Sequence, residues 1–220
     1  MTVEQAYEKF IIKINKNAQT DGVHCDRGRF VELYNEAQIK HLEYLLEQRF
    51  HDEIRYAEKF LKNDEQLDVE TGGPTMQFAP LPPDFFDLSS AKAIASTDYC
   101  QNTYIDLYEV KSEDINLVLQ DEFNKPSFDY REAPFILSSG DIKAYREGFT
   151  YDKILLTYYR YPQQIRLIDE DDPESFFNET YQIEWDDKSN NRIIDLAASR
   201  FFLNNDDNKY QAAQIEAKQK

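Results

Sequence analysis

Three histidines, His24, His41 and His51, are the side chains whose ordinary pKa suits a general base near neutral pH, and the sequence gives them nothing to act with. None sits in an HExxH helix or beside a candidate nucleophile, and His41 and Arg49 lack metal-ligand spacing. All three read as surface or partly buried histidines. The serine pairs Ser89-Ser90 and Ser138-Ser139 lack the GxSxG elbow that would expose a nucleophile. Neither GxGxxG nor GxxxxGKS/T occurs, and a chain with six glycines offers little from which to build a phosphate-cradling loop. Cys25 and Cys100 are far apart and outside any CxxC pattern, so they read as two free thiols of a reducing compartment.

The densest cluster of potential ligands is Asp169, Glu170, Asp171 and Asp172. Hard cations favour such oxygens, but the EF-hand alternation and its glycine are missing and Pro173 follows directly. A solvated acidic loop is the simpler reading, with opportunistic Ca²⁺ or Mg²⁺ binding as the other. No catalytic, cofactor-binding or metal-ligating residue is assigned.

Two further motifs carry contact chemistry rather than reaction chemistry. In LPPDFFDL, residues 81–88, an acidic residue stands between a proline turn and two aromatics. It reads as a rigid lead-in to a sheet, with Phe85 or Phe86 in the core. TYYRYP, residues 157–162, reads as a strand end with Arg160 in a structural ion pair. Against that stands the enrichment of Arg and Tyr at protein interfaces, which makes Tyr158, Tyr159, Arg160 and Phe85 candidates for contact with a neighbouring subunit or another protein.

Bulk properties narrow the partners. The 220 residues suffice for one large or two small domains, and a chain of this size buries about 70% of its unfolded surface. An apolar fraction of 41%, with 15 Tyr and 15 Phe, excludes wholesale disorder, yet the mean hydropathy of −0.73 implies abundant polar surface. The net charge of −17 removes the electrostatic basis of nucleic-acid binding and of adhesion to anionic membranes. The same charge would keep DNA from sticking to a conduit that this protein lined. No apolar run approaches the length of a bilayer span. MTVEQAYEKF has neither the basic nor the apolar region of a signal peptide, so none is expected.

The elements that must position these residues fall into three stretches. Thr2 and Gln5 fit a capping box ahead of the helical stripe Val3, Ala6, Tyr7, Phe10, Ile11 and Ile14. After a break at 15–22, Asp26 can cap a second helix, whose apolar face runs from Phe30 to Leu61. Taken as Arg29 to Lys62, it would be roughly 50 Å long. Residues 63–83 turn acidic and proline-rich and read as loop and extended chain. From Thr103 to Leu167 short aromatic and β-branched segments predict strands, interrupted by a short helix at 112–120 capped by Ser112. In TYIDLYEV, alternation puts Ile105 and Leu107 on one face and Tyr104, Asp106 and Tyr108 on the other. Helical spacing returns at Asn191, through Ile193, Ile194, Ala197, Ala198 and Phe201. The tail that follows has only Tyr210, Ala213 and Ile215 to bury, so it is expected to fray or to dock on a partner.

These patterns predict an α+β chain: a bundle of N- and C-terminal helices, with a β-rich antiparallel insertion between them. The expected boundaries are 1–65 with 187–220 for the helical part, 66–186 for the insertion and 204–220 for a docking tail.

The order of motifs resembles the head-to-tail connector (adaptor) proteins of tailed bacteriophages. Those proteins begin with a helix like TVEQAYEKFIIKINK, followed by a helix with an Asn-x-Ala stretch, here Asn35-Glu36-Ala37. An LPxDF lead-in comes next, here Leu81 to Phe85, then a Lys-Pro-Ser turn, here Lys125 to Ser127, and a YYRxP strand, here Tyr158 to Pro162. They close with a helix such as Asn191 to Phe202 and a tail in which Asp precedes Tyr-Gln, here Asp207 to Gln211. Each motif is weak alone, and the order carries the likeness, which lies nearest to ring proteins of podovirus-type and crAss-like phages.

The resemblance implies a non-enzymatic virion protein forming a homo-oligomeric, usually dodecameric, ring beneath the portal. DNA would pass through the ring without specific binding, and no membrane is involved. The C-terminal segment would reach the portal protein, making Leu203, Tyr210, Gln211 and Ile215 portal-contact candidates, while the β-region would meet the next tail or ring protein. The β-insertion here is longer and more acidic than in minimal members. Two alternatives stay open: another virion component such as a tail-hub or decoration protein, and a cytosolic enzyme using the acidic loop with a divalent metal.

Overall fold

The computed structural model describes residues 1–16, 23–47 and 52–205, and shows a mixed α+β chain. It divides into two units. One comprises Met1–Lys59 together with the chain from Pro162 onward, and the other is Phe60–Tyr161.

The first unit is built on helices α1 (Val3–Lys16), α2 (Arg27–Glu47) and α4 (Asp187–Asn205). α1 starts on the expected capping box: the Thr2 amide donates to Gln5 Oε1 at 3.0 Å, and the Gln5 amide to Thr2 Oγ1 at 3.2 Å. Asp26 caps α2 by accepting the Arg29 amide at 2.6 Å. For α4 the cap is Asp186, whose carboxylate accepts the amides of Lys188 and Ser189 at 2.9 and 3.0 Å. The helix therefore begins four residues before Asn191. α4 packs on both α1 and α2. Phe10, Phe30 and Phe201 form the shared aromatic core, with ring centroids 5.2 Å (Phe10–Phe30) and 6.0 Å (Phe10–Phe201) apart. At its margin Lys13 pairs with Asp195, and Arg192 grips Glu53 through two hydrogen bonds at 3.0 and 3.2 Å.

α2 does not run to Lys62. Asp52–Tyr56 and Glu58–Phe60 are 3-10 turns, and Leu61 already belongs to a strand. Ile54, Ala57 and Phe60 recur every third residue, a spacing that suits the three-residue 3-10 turn as well as the α-helix.

The second unit is a curled eight-stranded sheet in the order β1-β8-β4-β5-β6-β7-β3-β2. Its strands are β1 (Leu61–Asp68), β2 (Glu70–Gly73), β3 (Met76–Pro80), β4 (Phe85–Ser96), β5 (Thr103–Glu109), β6 (Glu132–Ser138), β7 (Asp141–Tyr145) and β8 (Thr150–Arg160). Ile105 and Leu107 point into the core while Tyr104 and Asp106 are exposed, as the alternation in β5 requires.

The sheet is not wholly antiparallel, because β5 and β6 pair in parallel, with Asp106 opposite Glu132. Parallel neighbours need a long crossover. Residues 110–131 supply it, carrying the short helix α3 (Ile115–Gln120). Its N-cap residue is Asp114 rather than Ser112, and it makes no side-chain capping bond.

β4 is the longest strand and pairs with β8 along nearly its whole length. The sequence gives it little signal, because its inward positions are Ala91, Ala93 and Ala95 rather than β-branched residues. These alanines share the core with the large rings of Phe135, Phe149, Tyr151 and Tyr158, for which their small volume leaves room.

Residues 162–186 cluster with the helices, although the sequence pattern joins them to the sheet. What holds them there defines the first candidate site.

Candidate functional site

Apart from one isolated bridge, Leu167 to Phe177, residues 162–186 form no strand or helix, and they cross the helical unit as a strap. Its backbone polar groups need partners, and α2 provides them. Asn35 Nδ2 donates to the Ile165 carbonyl at 2.9 Å, and Asn35 Oδ1 accepts the Ile165 amide at 3.0 Å. One turn further along, Gln38 Nε2 donates to the Gln163 carbonyl at 3.2 Å and to Asn35 Oδ1 at 3.0 Å. Gln38 Oε1 accepts the Trp185 indole N–H at 3.2 Å. Glu184 closes the loop by accepting the Gln163 amide at 2.6 Å.

At the other end of the helix the Gly28 amide donates to the Pro173 carbonyl at 2.9 Å. A Cβ on Gly28 would lie 3.0 Å from Pro173 Cβ, so a larger residue there would push the strap back by a few tenths of an ångström. The Asn35-Glu36-Ala37 stretch is fully engaged within this unit. Asn35 binds the strap, Glu36 pairs with Arg200 of α4, and Ala37 is fully buried.

In the sheet unit, the two contact motifs meet each other. Asp84 Oδ1 accepts the Tyr158 hydroxyl at 2.8 Å, and its Oδ2 lies 2.8 Å from Lys62 Nζ. The Asp84 carbonyl accepts the Tyr161 amide at 2.8 Å. Phe85 lies opposite Arg160 in register and packs 5.5 Å from the Tyr158 ring, and Phe86 meets Tyr161 edge-on at 4.8 Å. Burial by itself would raise the Asp84 carboxyl, but the hydrogen bonds from Lys62 and Tyr158 outweigh it and hold it below the ordinary carboxylate range.

Among the contact candidates, Tyr158 is fully buried in the core of the sheet unit and Tyr159 is nearly buried within the single chain. Phe85 packs against the core, partly buried. The Arg160 guanidinium stands over the Phe60 ring at 5.4 Å and donates to the Tyr161 carbonyl at 3.0 Å. The exposed apolar side chains of this unit include Tyr161 of the second motif itself, Tyr104 of β5, Tyr99 at a hairpin tip, and Leu117, Phe123 and Tyr130 on the crossover. Tyr99, Phe123 and Tyr130 are isolated aromatics in turns and loops, which give no periodic signal for the sequence pattern to single out.

The titratable groups are dispersed. His24 is exposed and 3.7 Å from Glu174. His41 is buried against Trp185, and its burial lowers the imidazole to a pKa of about 4. His51 lies outside the described residues. Burial pushes the Cys25 thiol up to about 12, whereas Cys100 is exposed, and both are free. In the acidic loop Asp169 accepts the Asp171 amide at 3.1 Å and Asp172 the Glu174 amide at 3.0 Å, so these carboxylates cap their own turns. Among the described residues no group of three or more His, Cys, Asp or Glu side chains could hold a metal ion. No described helix is long and apolar enough to cross a membrane.

Of the portal-contact candidates, Leu203 sits in the last turns of α4 with 41% of its surface exposed, and Tyr210, Gln211 and Ile215 lie outside the described residues. A scan against protein-family models and a search of curated proteins find no match for the chain.

Proposed function

We propose that this chain is a non-enzymatic virion structural protein, a connector subunit that forms a ring between the portal and the tail of a bacteriophage. The observation that carries the reading is the setting of α4. The helix is fastened to α1 by Lys13–Asp195 and to α2 by Arg200–Glu36, and the chain continues from it into residues 206–220. A firmly held helix followed by a segment with little to bury of its own is suited to docking on a partner. A repeated pairwise contact around a closed ring then gains strength by avidity.

Two further features support it. A helical unit drawn from both chain ends, with a strand unit between, agrees with the connector arrangement. Asn35 and Asp84, which belong to motifs of the connector series, each tie distant segments of the chain together. In this reading the excess of carboxylates lets DNA pass without adhering.

A second reading, a tail-hub or decoration protein, draws on Phe123 and Tyr130, 91% and 79% exposed on the crossover of the strand unit. Deleting residues 204–220 separates the two. The connector reading predicts loss of incorporation into portal-bearing particles, and undiminished incorporation would contradict it.

A further inference from the structure

The Trp185 end of the strap rests on a histidine, one of whose ring nitrogens has no hydrogen-bond partner among the described residues. His41 is 3% exposed, its ring centroid is 5.2 Å from that of Trp185, and its buried Nε2 has no partner among the described residues. Gln38, less than one helical turn before it, holds the Trp185 indole N–H, so two nearby α2 positions seat the same side chain. Lys59 adds to the seat by bonding the Glu184 carbonyl and placing its ammonium 5.4 Å from the Trp185 ring, and Glu184 holds Gln163.

We propose that His41 is an acid-sensitive latch: uncharged, it seats Trp185 and closes the strap on α2, and protonation of its imidazole releases the Trp185 end.

The charges around the ring decide the sign. Loss of hydration disfavours the imidazolium most, and Arg192 from α4 adds like-charge repulsion. Asp186 before α4 and Glu53 from the first 3-10 turn oppose them but are outweighed. Glu53 is itself engaged by Arg192 through two hydrogen bonds, which limits what it can offer a protonated His41. When the strap opens, the imidazole meets water and regains its ordinary proton affinity. Opening therefore takes up a proton, and its equilibrium shifts by roughly tenfold per pH unit as pH falls from 6.5 towards 4. The Asn35–Ile165 bonds contain no titrating group and should persist, so the release is local.

Trp185 is the chain's only tryptophan, so its fluorescence reports the latch directly. The experiment follows emission maximum and acrylamide quenching of the full chain from pH 7.5 down to 4.5, with far-UV circular dichroism alongside. The latch predicts a reversible red shift and rising acrylamide access below pH 6.5, with helix content retained, and a flat response in His41→Phe. An unchanged wild type, or an identical transition in His41→Phe, would overturn it. Should His41→Phe fail to fold, His41→Asn carries the same expectation. As an independent check on the wild type, the His41 ring proton should titrate well below 6.5 by NMR, and titration at or above that value would equally overturn the latch.

Discussion

Asn35 binds the backbone of Ile165 as an adjacent β-strand would, giving one hydrogen bond to its carbonyl and taking one from its amide. A single carboxamide on α2 thereby satisfies a stretch of extended chain that has no strand beside it at that point. The relationship spans 130 positions and explains why the strap belongs with the helices. It also gives the Asn-x-Ala stretch a physical reason to exist, independent of any likeness to other proteins.

Asn35→Ala should therefore destabilise the helical unit by about 2 kcal/mol, since two bonds are lost and the Ile165 groups are left without them. Asn35→Asp keeps an acceptor but loses the donor to the carbonyl, and should not rescue the loss. Denaturant midpoints followed by Trp185 fluorescence check both. Midpoints equal to wild type would mean that water replaces the carboxamide without cost.

Asp84 is the corresponding tie in the sheet unit. Asp84→Asn should cost about 1 kcal/mol at pH 7, a modest figure because Lys62 and Asp84 are each more than a third exposed. Since the folded carboxyl lies below its ordinary value, the charged form stabilises the fold above about pH 4, and that contribution is lost as pH falls through the folded pKa. The difference between wild type and Asp84→Asn should accordingly shrink between pH 5 and pH 2. Tyr158→Phe should cost a similar amount at neutral pH, because Asp84 keeps its lysine. Urea midpoints at several pH values measure all three quantities.

The two thiols should differ sharply in reactivity. Cys100 is exposed on the turn after β4, whereas Cys25 is 3% exposed with its thiol held protonated by burial. A colourless aromatic disulfide reagent should label one equivalent quickly at pH 8 and the second only on unfolding. Cys100→Ser should abolish the fast phase and Cys25→Ser should leave it intact.

Local signals are the most legible part of the fold. The capping box at Thr2 and Gln5, the Asp26 cap and the alternation in β5 can each be read from a few neighbouring residues, and each is realised. What the sequence hides depends on distant partners. The 3-10 turns after α2 end where Leu61 finds Tyr159 of β8, and β4 is a strand because β8 and β5 flank it. The strap looks like part of the sheet region because its anchors, Asn35 and Gln38, are more than a hundred positions away. Tyr158 and Tyr159 illustrate a different limit. Their residue types suit an interface and a core equally well, and only the pairing of β8 between β1 and β4 shows that Tyr158 belongs to the sheet core.

The connector reading is tested most directly by mass. Size-exclusion chromatography with light scattering would be run on the chain alone, on the chain with the portal protein that the reading assigns as its partner, and on the chain ending at Leu203 with the same portal. The reading predicts a ring-sized complement of subunits on the portal for the full chain and none for the shortened one. A full chain that stays monomeric beside an intact portal ring, or a shortened chain that binds as well, would contradict it.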